Sequence, residues 1–417
     1  MSMTHRVASD GTPVSLLGYG AMRLPTVDGG HANGWECDAS KTGIDRKLLA
    51  RQVRLMLDSG VNYFDTSPAY CRGESEACLG EALKGSGYDR ADVLVATKLS
   101  NFAPGQQTLD ACKSMFEDSL ANLQTDYVDN YLLHAIGNGG FETFSKRFLE
   151  NGALDWCCGL RAARRIRNLG FSFHGDPKTF EWCLAHHDTY KWDFCQIQMN
   201  YVDWRHGRET NARNLDAEYL YEQLSAKKIP VVVMEPLLGG RLAHYNYAVA
   251  KELAPVNPGD SLAKWALRFC GTFPNVMTIL SGMTRTEHIE ENVATCSPLK
   301  PCDERELAAL DRAAQSLLKL KTIPCNDCKY CMPCPYGLDI PAILTFRNEI
   351  LLKKSLPSAR EVLKLYGKRI PESLRRAEHC TGCGRCRPHC PQSIDIPREV
   401  TAIDEWIDGL VAQEVSK

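Results

Sequence analysis

Residues 61–70 read VNYFDTSPAY. A β-branched and aromatic run ends in an aspartate and a threonine, and a Ser-Pro pair then stops it, which is the pattern of a buried strand running into a loop. Seven more runs of this kind lie on either side: 15–22 (SLLGYGAM), 92–98 (DVLVATK), 128–134 (VDNYLLH), 166–173 (IRNLGFSF), 194–200 (FCQIQMN), 229–235 (IPVVVME) and 276–283 (VMTILSGM). Helix-period segments separate them, as at 46–59, 108–123, 217–227 and 286–293. Eight strand–helix alternations in one block predict an α/β chain whose parallel sheet closes into a (β/α)₈ TIM barrel. An open doubly wound sheet is the alternative, but the glycine-rich dinucleotide fingerprint it would carry after its first strand is absent.

A chain of 417 residues exceeds the roughly 250 of such a barrel, so a second domain is expected. Pro298, Pro301 and Cys302 close the repeating block. Beyond them, residues 303–320 place Leu307, Leu310, Ala314, Leu317 and Leu318 on one helical face. Asp303 stands at its N-cap and Glu306 three residues on, the pattern of a capping box. The expected division is a barrel over 1–300, a linker helix over 301–322 and a further domain over 323–417. A hydrophobic content of 44% and a net charge of −2 describe a soluble globular protein without an electrostatic footprint for nucleic acid. No apolar run approaches the roughly 18 residues of a membrane span. The N-terminal residues lack the apolar stretch of a secretory signal, so a cytoplasmic location is expected.

Nineteen cysteines are unevenly spread. Eleven are scattered through residues 1–302 and read as small buried hydrophobes. Eight form two tight groups. Cys380, Cys383, Cys386 and Cys390, followed by Pro391, have the C-x₂-C-x₂-C-x₃-C-P spacing of a bacterial ferredoxin run. Cys325, Cys328, Cys331 and Cys334, followed by Pro335, are one residue shorter before the last cysteine. Cysteines three apart in a tight turn aim three thiolates at one cluster face, while the cysteine before proline leaves the loop for the other cluster. Two [4Fe–4S] clusters are therefore expected, one on Cys325, Cys328, Cys331 and Cys390, the other on Cys380, Cys383, Cys386 and Cys334. Zinc is the bland alternative, but zinc ribbons pair two C-x₂-C knuckles across a longer loop. Residues 335–379, between the groups, read mostly as helix. This domain resembles the α-helical ferredoxin fold of succinate dehydrogenase and fumarate reductase iron–sulfur subunits, so a mainly α-helical ferredoxin-like iron–sulfur domain is expected.

At the strand ends stand Asp65 and Tyr70 after the second run, Lys98 closing the third and His134 closing the fourth. Catalytic groups of such barrels sit on the C-terminal ends of strands. A lone strand-end histidine is usually a core residue; four such groups in order and in phase with the strands are a stronger signal. The barrel resembles the aldo-keto reductase superfamily over about residues 15–295, and the whole chain resembles the branch with a C-terminal ferredoxin-type domain. The resemblance implies Asp65, Tyr70, Lys98 and His134 as the catalytic tetrad of an oxidoreductase. Hydride delivered to a carbonyl carbon leaves charge on oxygen, which needs a proton donor. Tyr70 would be that general acid, with Lys98 favouring its phenolate, Asp65 balancing the lysine and His134 orienting the substrate oxygen.

The resemblance also places nicotinamide-nucleotide contacts at Gly20, Met22, Ser172, Gln196, Met234, Leu237, Gly239, Gly282, Arg285, His288, Glu291 and Asn292. The asparagine that usually follows the serine is Phe173 here, and Met234 takes the place of the stacking aromatic. Gly282 and His288 stand where the family has the Lys and Arg that hold a 2′-phosphate, so either NADP or NAD is implied. The first functional reading is thus NAD(P)H-dependent reduction of an aldehyde or ketone, with structural or auxiliary clusters. A second is an electron-transfer oxidoreductase, in which clusters and barrel exchange electrons through a flavin (which no motif indicates) or with a ferredoxin or flavodoxin. A third is a non-catalytic carrier or assembly subunit. Residues 345–378 hold nine Lys or Arg against four Glu, a surface for an acidic electron carrier, or else a solvated helix face. Trp35, Cys37, Trp204 and His206 carry no assigned role.

Overall fold

The alternation closes on itself. In the computed structural model, which describes residues 2–29, 31–33, 43–371 and 374–416, eight strands form a closed barrel with sequential neighbours paired. They are β1 (Leu17–Gly20), β2 (Tyr63–Asp65), β3 (Leu94–Leu99), β4 (Val128–Ile136), β5 (Ile166–Phe173), β6 (Phe194–Gln198), β7 (Val231–Met234) and β8 (Val276–Ser281). All pairs are parallel, and Ile279 of β8 lies opposite Leu17 of β1, which completes the ring. Each strand falls within or across its expected run. β4 is the exception in length, extending to Ile136 past an irregularity between Leu133 and Ile136. Trp35 and Cys37 lie outside the described residues.

Strands buried on both faces need near-continuous apolar sequence, because helices cover the outside and side chains fill the inside. Tyr63, Leu94, Leu132, Phe194, Val232, Met277 and Leu280 cluster there with Val14. Val14 comes from a short antiparallel ribbon of His5–Val7 and Pro13–Ser15. The packing leaves no slack at Gly170, where an added Cβ would lie 2.6 Å from the Phe194 carbonyl oxygen and 2.8 Å from its ring. Outer helices start where the sequence offers caps. The Asp45 carboxylate accepts from Leu48 N–H, Thr108 from Ala111 and Asp176 from Thr179, each satisfying one otherwise orphaned donor. Of the scattered cysteines that are described, all but the half-buried Cys158 are buried. Trp204 lies against Phe273, with ring centroids 4.3 Å apart, and its indole N–H donates to Glu218.

The chain divides into two compact units. The first takes residues up to Arg208, then Arg213–Leu237 and Ala263–Cys302; the second takes Glu209–Ala212, Leu238–Leu262 and everything from Asp303. Leu238–Leu262 lies between β7 and the next barrel helix in sequence, yet it packs with the second unit. The helix Glu304–Leu318 opens with the expected capping box, Asp303 accepting from Glu306 N–H and Glu306 accepting from Asp303 N–H. It belongs to the second unit, where Ser316 and Arg312 meet Glu252 of the helix Tyr247–Leu253.

The rest of that unit is helical. Ile340–Leu351, Ala359–Arg369 and Ile396–Val415 enclose a core that includes Ile343, Leu344, Phe346, Val362, Tyr366, Val400 and Ile403. The cysteine loops run beside this core, with Cys390 inside it and Cys325, Cys331, Cys334, Cys380 and Cys386 packed against it. Among the described residues no helix is long and apolar enough to cross a membrane.

Candidate active site and cluster loops

Strand register explains why the barrel's polar side chains converge. Asp65 lies opposite Ala96 on β3, and Lys98 is two residues further along. Lys98 in turn lies opposite Leu132 on β4, and His134 is two residues beyond that. Side chains alternate in direction with period two, so a step of two keeps each on the face of the residue before it. The stagger of the strands thus turns three distant positions into a staircase on one rim.

The contacts are close. Lys98 Nζ donates to Asp65 Oδ1 at 2.6 Å and to the Thr66 carbonyl at 2.8 Å. It stands 4.8 Å from the centroid of the Tyr70 ring. The His134 ring meets Tyr70 edge-on, with centroids 5.8 Å apart. Lys98 is 1% and Asp65 2% exposed, so burial pushes the Asp65 carboxyl up and the Lys98 ammonium down. Each opposes the other's shift by attraction, and a pair this short, with Thr66 as a further acceptor, is held as ions.

Tyr70 is aimed by an unusual turn. Tyr70 N–H donates to the Ser67 carbonyl, and the next two residues, Cys71 and Arg72, have φ of 48° and 54°. Left-handed backbone at non-glycine residues costs of order 1–2 kcal/mol each and persists only where surroundings enforce it. Here Thr66 and Ser75 share a hydrogen bond, and Ser75 donates to Ala21 of the preceding loop.

His134 is held from three sides that the sequence did not announce. Its Nδ1 lies 2.6 Å from Ser100 Oγ and 3.3 Å from Ser67 Oγ, and the two hydroxyls are 2.9 Å apart. Arg147 donates to the His134 carbonyl at 2.8 Å while its guanidinium stacks on Phe102 and Phe148. The following residue, Ala135, has φ of 53°, and its N–H donates to Ser172 Oγ at the strand irregularity. Bulges of this kind re-aim a side chain beside an active site. Burial, reinforced by Lys98, His174 and Arg147, holds His134 well below the usual histidine range, so it is neutral at neutral pH. Burial likewise takes His174 down to about 4.

The residues expected around a nucleotide fall into three places. Ser172 and Gln196 are register partners on β5 and β6, both buried, and Gln196 Oε1 has no hydrogen-bond partner among the described residues. An orphaned buried carbonyl oxygen is costly unless a ligand supplies the donor, and a carboxamide N–H₂ fits that need. Met234 lies opposite Gln198 at the end of β7 and is half-buried, as are Gly20, Met22 and Leu237. Gly282, Arg285, His288 and Glu291 are exposed on the turn and helix after β8, where Gly282 approaches the Gly20 carbonyl. Asn292 is buried, its amide donating to Ser281 Oγ at 3.1 Å. Gly239 is part of the second unit. Its φ is +66°, and an added Cβ would lie 2.1 Å from Asn326 Cβ, so close packing there accounts for the glycine.

The two cysteine loops share one backbone geometry despite different sequences. In the second, Gly382 and Gly384 flank Cys383 with φ of 69° and 72°. In the first, Asp327 and Lys329 flank Cys328 with φ of 53° and 59°. Left-handed residues alternating with ordinary ones turn successive N–H groups into one hollow, a nest suited to anions and iron–sulfur sulfides. The thiols sense one another across the groups. Cys331 is raised by burial and then by Cys325, Cys328 and Cys390; Cys386 is raised by burial and also by Cys380, Cys383 and Cys334. Thiolate donors in a nest fit a cluster. Among the described residues no three His, Cys, Asp or Glu side chains are close enough to hold a single metal ion.

A barrel with buried acid–base groups on its rim, joined to a helical unit with two ferredoxin-type loops, is the architecture of a barrel oxidoreductase carrying an iron–sulfur module. The Aldo/keto reductase family matches residues 17–315, and the 4Fe-4S dicluster domain matches residues 324–396. The chain belongs to the aldo/keto reductase family, with a 4Fe–4S dicluster domain at its C-terminus, and is an oxidoreductase of the kind that acts on carbonyls. It is 27% identical to L-galactose dehydrogenase of Arabidopsis thaliana over 70% of this chain and 88% of that one. It is 29% identical to the methylglyoxal reductase YeaE of Escherichia coli (strain K12) over 70% of this chain and 92% of the relative. Among solved structures, an aldo-keto reductase from Klebsiella pneumoniae in complex with NADPH shares the fold, with TM-score 0.56 and 23% identity, covering 75% of this chain and 95% of that chain.

Proposed function

We propose that the protein reduces a small aldehyde or ketone at the barrel rim using NADPH or NADH, with Tyr70 as the general acid. The observation that carries this reading is the buried Lys98 ammonium, 2.6 Å from Asp65 and over the Tyr70 ring, with His134 at the ring's edge. When bound, the nicotinamide nucleotide supplies the hydride. Ser172 and the unpaired Gln196 Oε1 would hold its carboxamide, and the exposed turn at Gly282–Arg285 its phosphates.

The chain's own residues then handle charge and protons. A substrate oxygen that gains negative charge draws a proton from the Tyr70 hydroxyl, and Lys98 steadies the phenolate left behind. Asp65 keeps the lysine charged and fixed. His134 is neutral, so it holds one N–H. In the tautomer in which Nδ1 accepts from Ser100, that N–H sits on Nε2 and can orient the substrate oxygen. Tyr70→Phe should lower kcat by about 10²–10⁴-fold, the usual worth of general acid catalysis, with nucleotide affinity unchanged. Undiminished turnover would refute the assignment.

A second reading, electron exchange between the clusters and an outside carrier, is favoured by one observation: Cys383 is exposed, which brings the second cysteine set to the surface. A small acidic protein such as ferredoxin or flavodoxin would be drawn to the basic 345–378 segment. Under this reading Cys383→Ser abolishes carrier reduction while Tyr70→Phe spares it.

A further inference from the structure

The second unit contains a cavity of about 800 Å³ that reaches Cys325 of the first cluster set. Its size lies in the range of about 300–1,000 Å³ typical of small-molecule sites. Three parts of the chain form the walls: the 239–245 stretch, the irregular segment 322–327 entering the first cysteine loop, and the ends of Ile340–Leu351 and Ala359–Arg369.

The walls are pinned in place. Asn348 clamps the loop from both ends of its amide, accepting from Ile323 N–H at 2.8 Å and donating to the Ile323 carbonyl at 2.7 Å. Tyr247 N–H donates to the Leu352 carbonyl at 3.1 Å, tying the 239–245 stretch to the end of the neighbouring helix. Gly239 and Asn326 meet so closely that no side chain fits between them. Such a cavity is already shaped before a ligand arrives.

Its charge is net positive. Arg241, Lys353, Lys368 and Arg369 line it, against the carboxylates of Asp327 and Glu349. Arg369 lies 3.6 Å from Glu349, and Arg241 donates to Thr322 at 2.8 Å. Lys353 and Lys368 make no ion pair among the described residues. Exposed Tyr245 stands at the mouth, and buried Phe346 forms part of the floor. Cations gathered in a concave, half-apolar site attract an anion attached to a flat body.

We propose that this cavity binds a phosphorylated small molecule of mononucleotide size, its phosphate held by Arg241, Lys353, Lys368 and Arg369 beside Cys325. Neither the barrel chemistry nor the identity of the substrate enters into this. An anion there would offset the positive charge next to the first cluster, so its binding should lower that cluster's reduction potential.

The test is calorimetric titration of full-length, cluster-loaded protein under anaerobic conditions, with saturating NADP⁺ present to fill the barrel site. The probes are flavin mononucleotide, adenosine monophosphate, riboflavin and inorganic phosphate. A phosphorylated probe should bind, inorganic phosphate should compete with it, and riboflavin should bind at least about tenfold more weakly. Binding of flavin mononucleotide alone identifies a flavin site; equal binding of both nucleotides identifies a site read by its phosphate. Lys353→Glu with Lys368→Glu should weaken binding by about tenfold or more while iron content and visible absorbance stay unchanged. Both lysines are exposed, so the double variant is expected to fold. No binding of either nucleotide at about 1 mM, or indifference to the charge reversal, would overturn the proposal.

Discussion

Replacing Lys98 by methionine keeps the length of the side chain and removes its charge. The carboxylate of Asp65 would then sit 2% exposed without its cation, and its Oδ2 already lacks a hydrogen-bond partner among the described residues. Removing one partner of a buried ion pair costs about 3–5 kcal/mol, because the remaining charge is stranded in a poor solvent. The sign with pH follows from the carboxyl. Burial raises the Asp65 pKa, and loss of Lys98 removes the attraction that opposes the rise. A carboxyl whose pKa is higher folded than unfolded binds more protons in the fold, so stability falls as pH rises through that range. The deficit of Lys98→Met should therefore be larger at about pH 8 than at about pH 5. Urea unfolding followed by tryptophan fluorescence reads it, provided the transition assigned to the barrel is analysed separately from that of the second unit. Adding Asp65→Asn should recover most of the stability but none of the turnover. A single variant within about 1 kcal/mol of the parent at about pH 8, or a double variant no more stable than the single, would refute the buried ion pair.

Three further expectations are independent of that cycle. Ser100→Ala should lower kcat/KM about tenfold, the worth of one hydrogen bond of about 1.4 kcal/mol, with nucleotide affinity unchanged in a binding titration. His134 and His174 are both held below the unfolded histidine value by burial, so the unfolded chain binds more protons than the fold below about pH 6.5. Barrel stability should hence decline as pH falls from about 6.5 towards 4, and thermal melts should show less of that decline in His174→Gln. Finally, Cys334→Ser should perturb the same cluster as Cys383→Ser in paramagnetic resonance spectra, and Cys390→Ser the other; loss of the first cluster on Cys334→Ser would disprove crossed ligation.

The barrel was legible because strands buried on both faces leave an apolar signature that needs no partner to be read. Asp65, Lys98 and His134 were legible as neighbours for a related reason: in a parallel barrel with sequential pairing, position along a strand fixes height. What supports His134 was not. Ser100 and Arg147 are ordinary residues in ordinary contexts, and they meet His134 only through tertiary packing. The left-handed backbone at Ala135, Cys71 and Arg72 is invisible in sequence, since these residues disfavour it intrinsically. In the cysteine loops the contrast is sharper. Gly382 and Gly384 announce such a backbone at Cys383, whereas Asp327 and Lys329 adopt it at Cys328 without any sign. The membership of Leu238–Leu262 was hidden as well, because that segment's partners lie some eighty residues away, as between Gly239 and Asn326.

That membership bears on how the protein can be made and divided. The chain enters the second unit briefly after Arg208, again after Leu237, and for good after Cys302. No single cut releases it whole. A fragment ending at Cys302 would keep the 238–262 segment and lose the Glu304–Leu318 helix and Asn326 it packs on, while a fragment starting at Asp303 would lack one wall of its own cavity. On the ribosome the early pieces emerge long before the cysteines that complete their surroundings. The second unit's cavity is therefore complete only when the 238–262 segment and the chain beyond Asp303 are both present, and separately expressed halves are a poor guide to it.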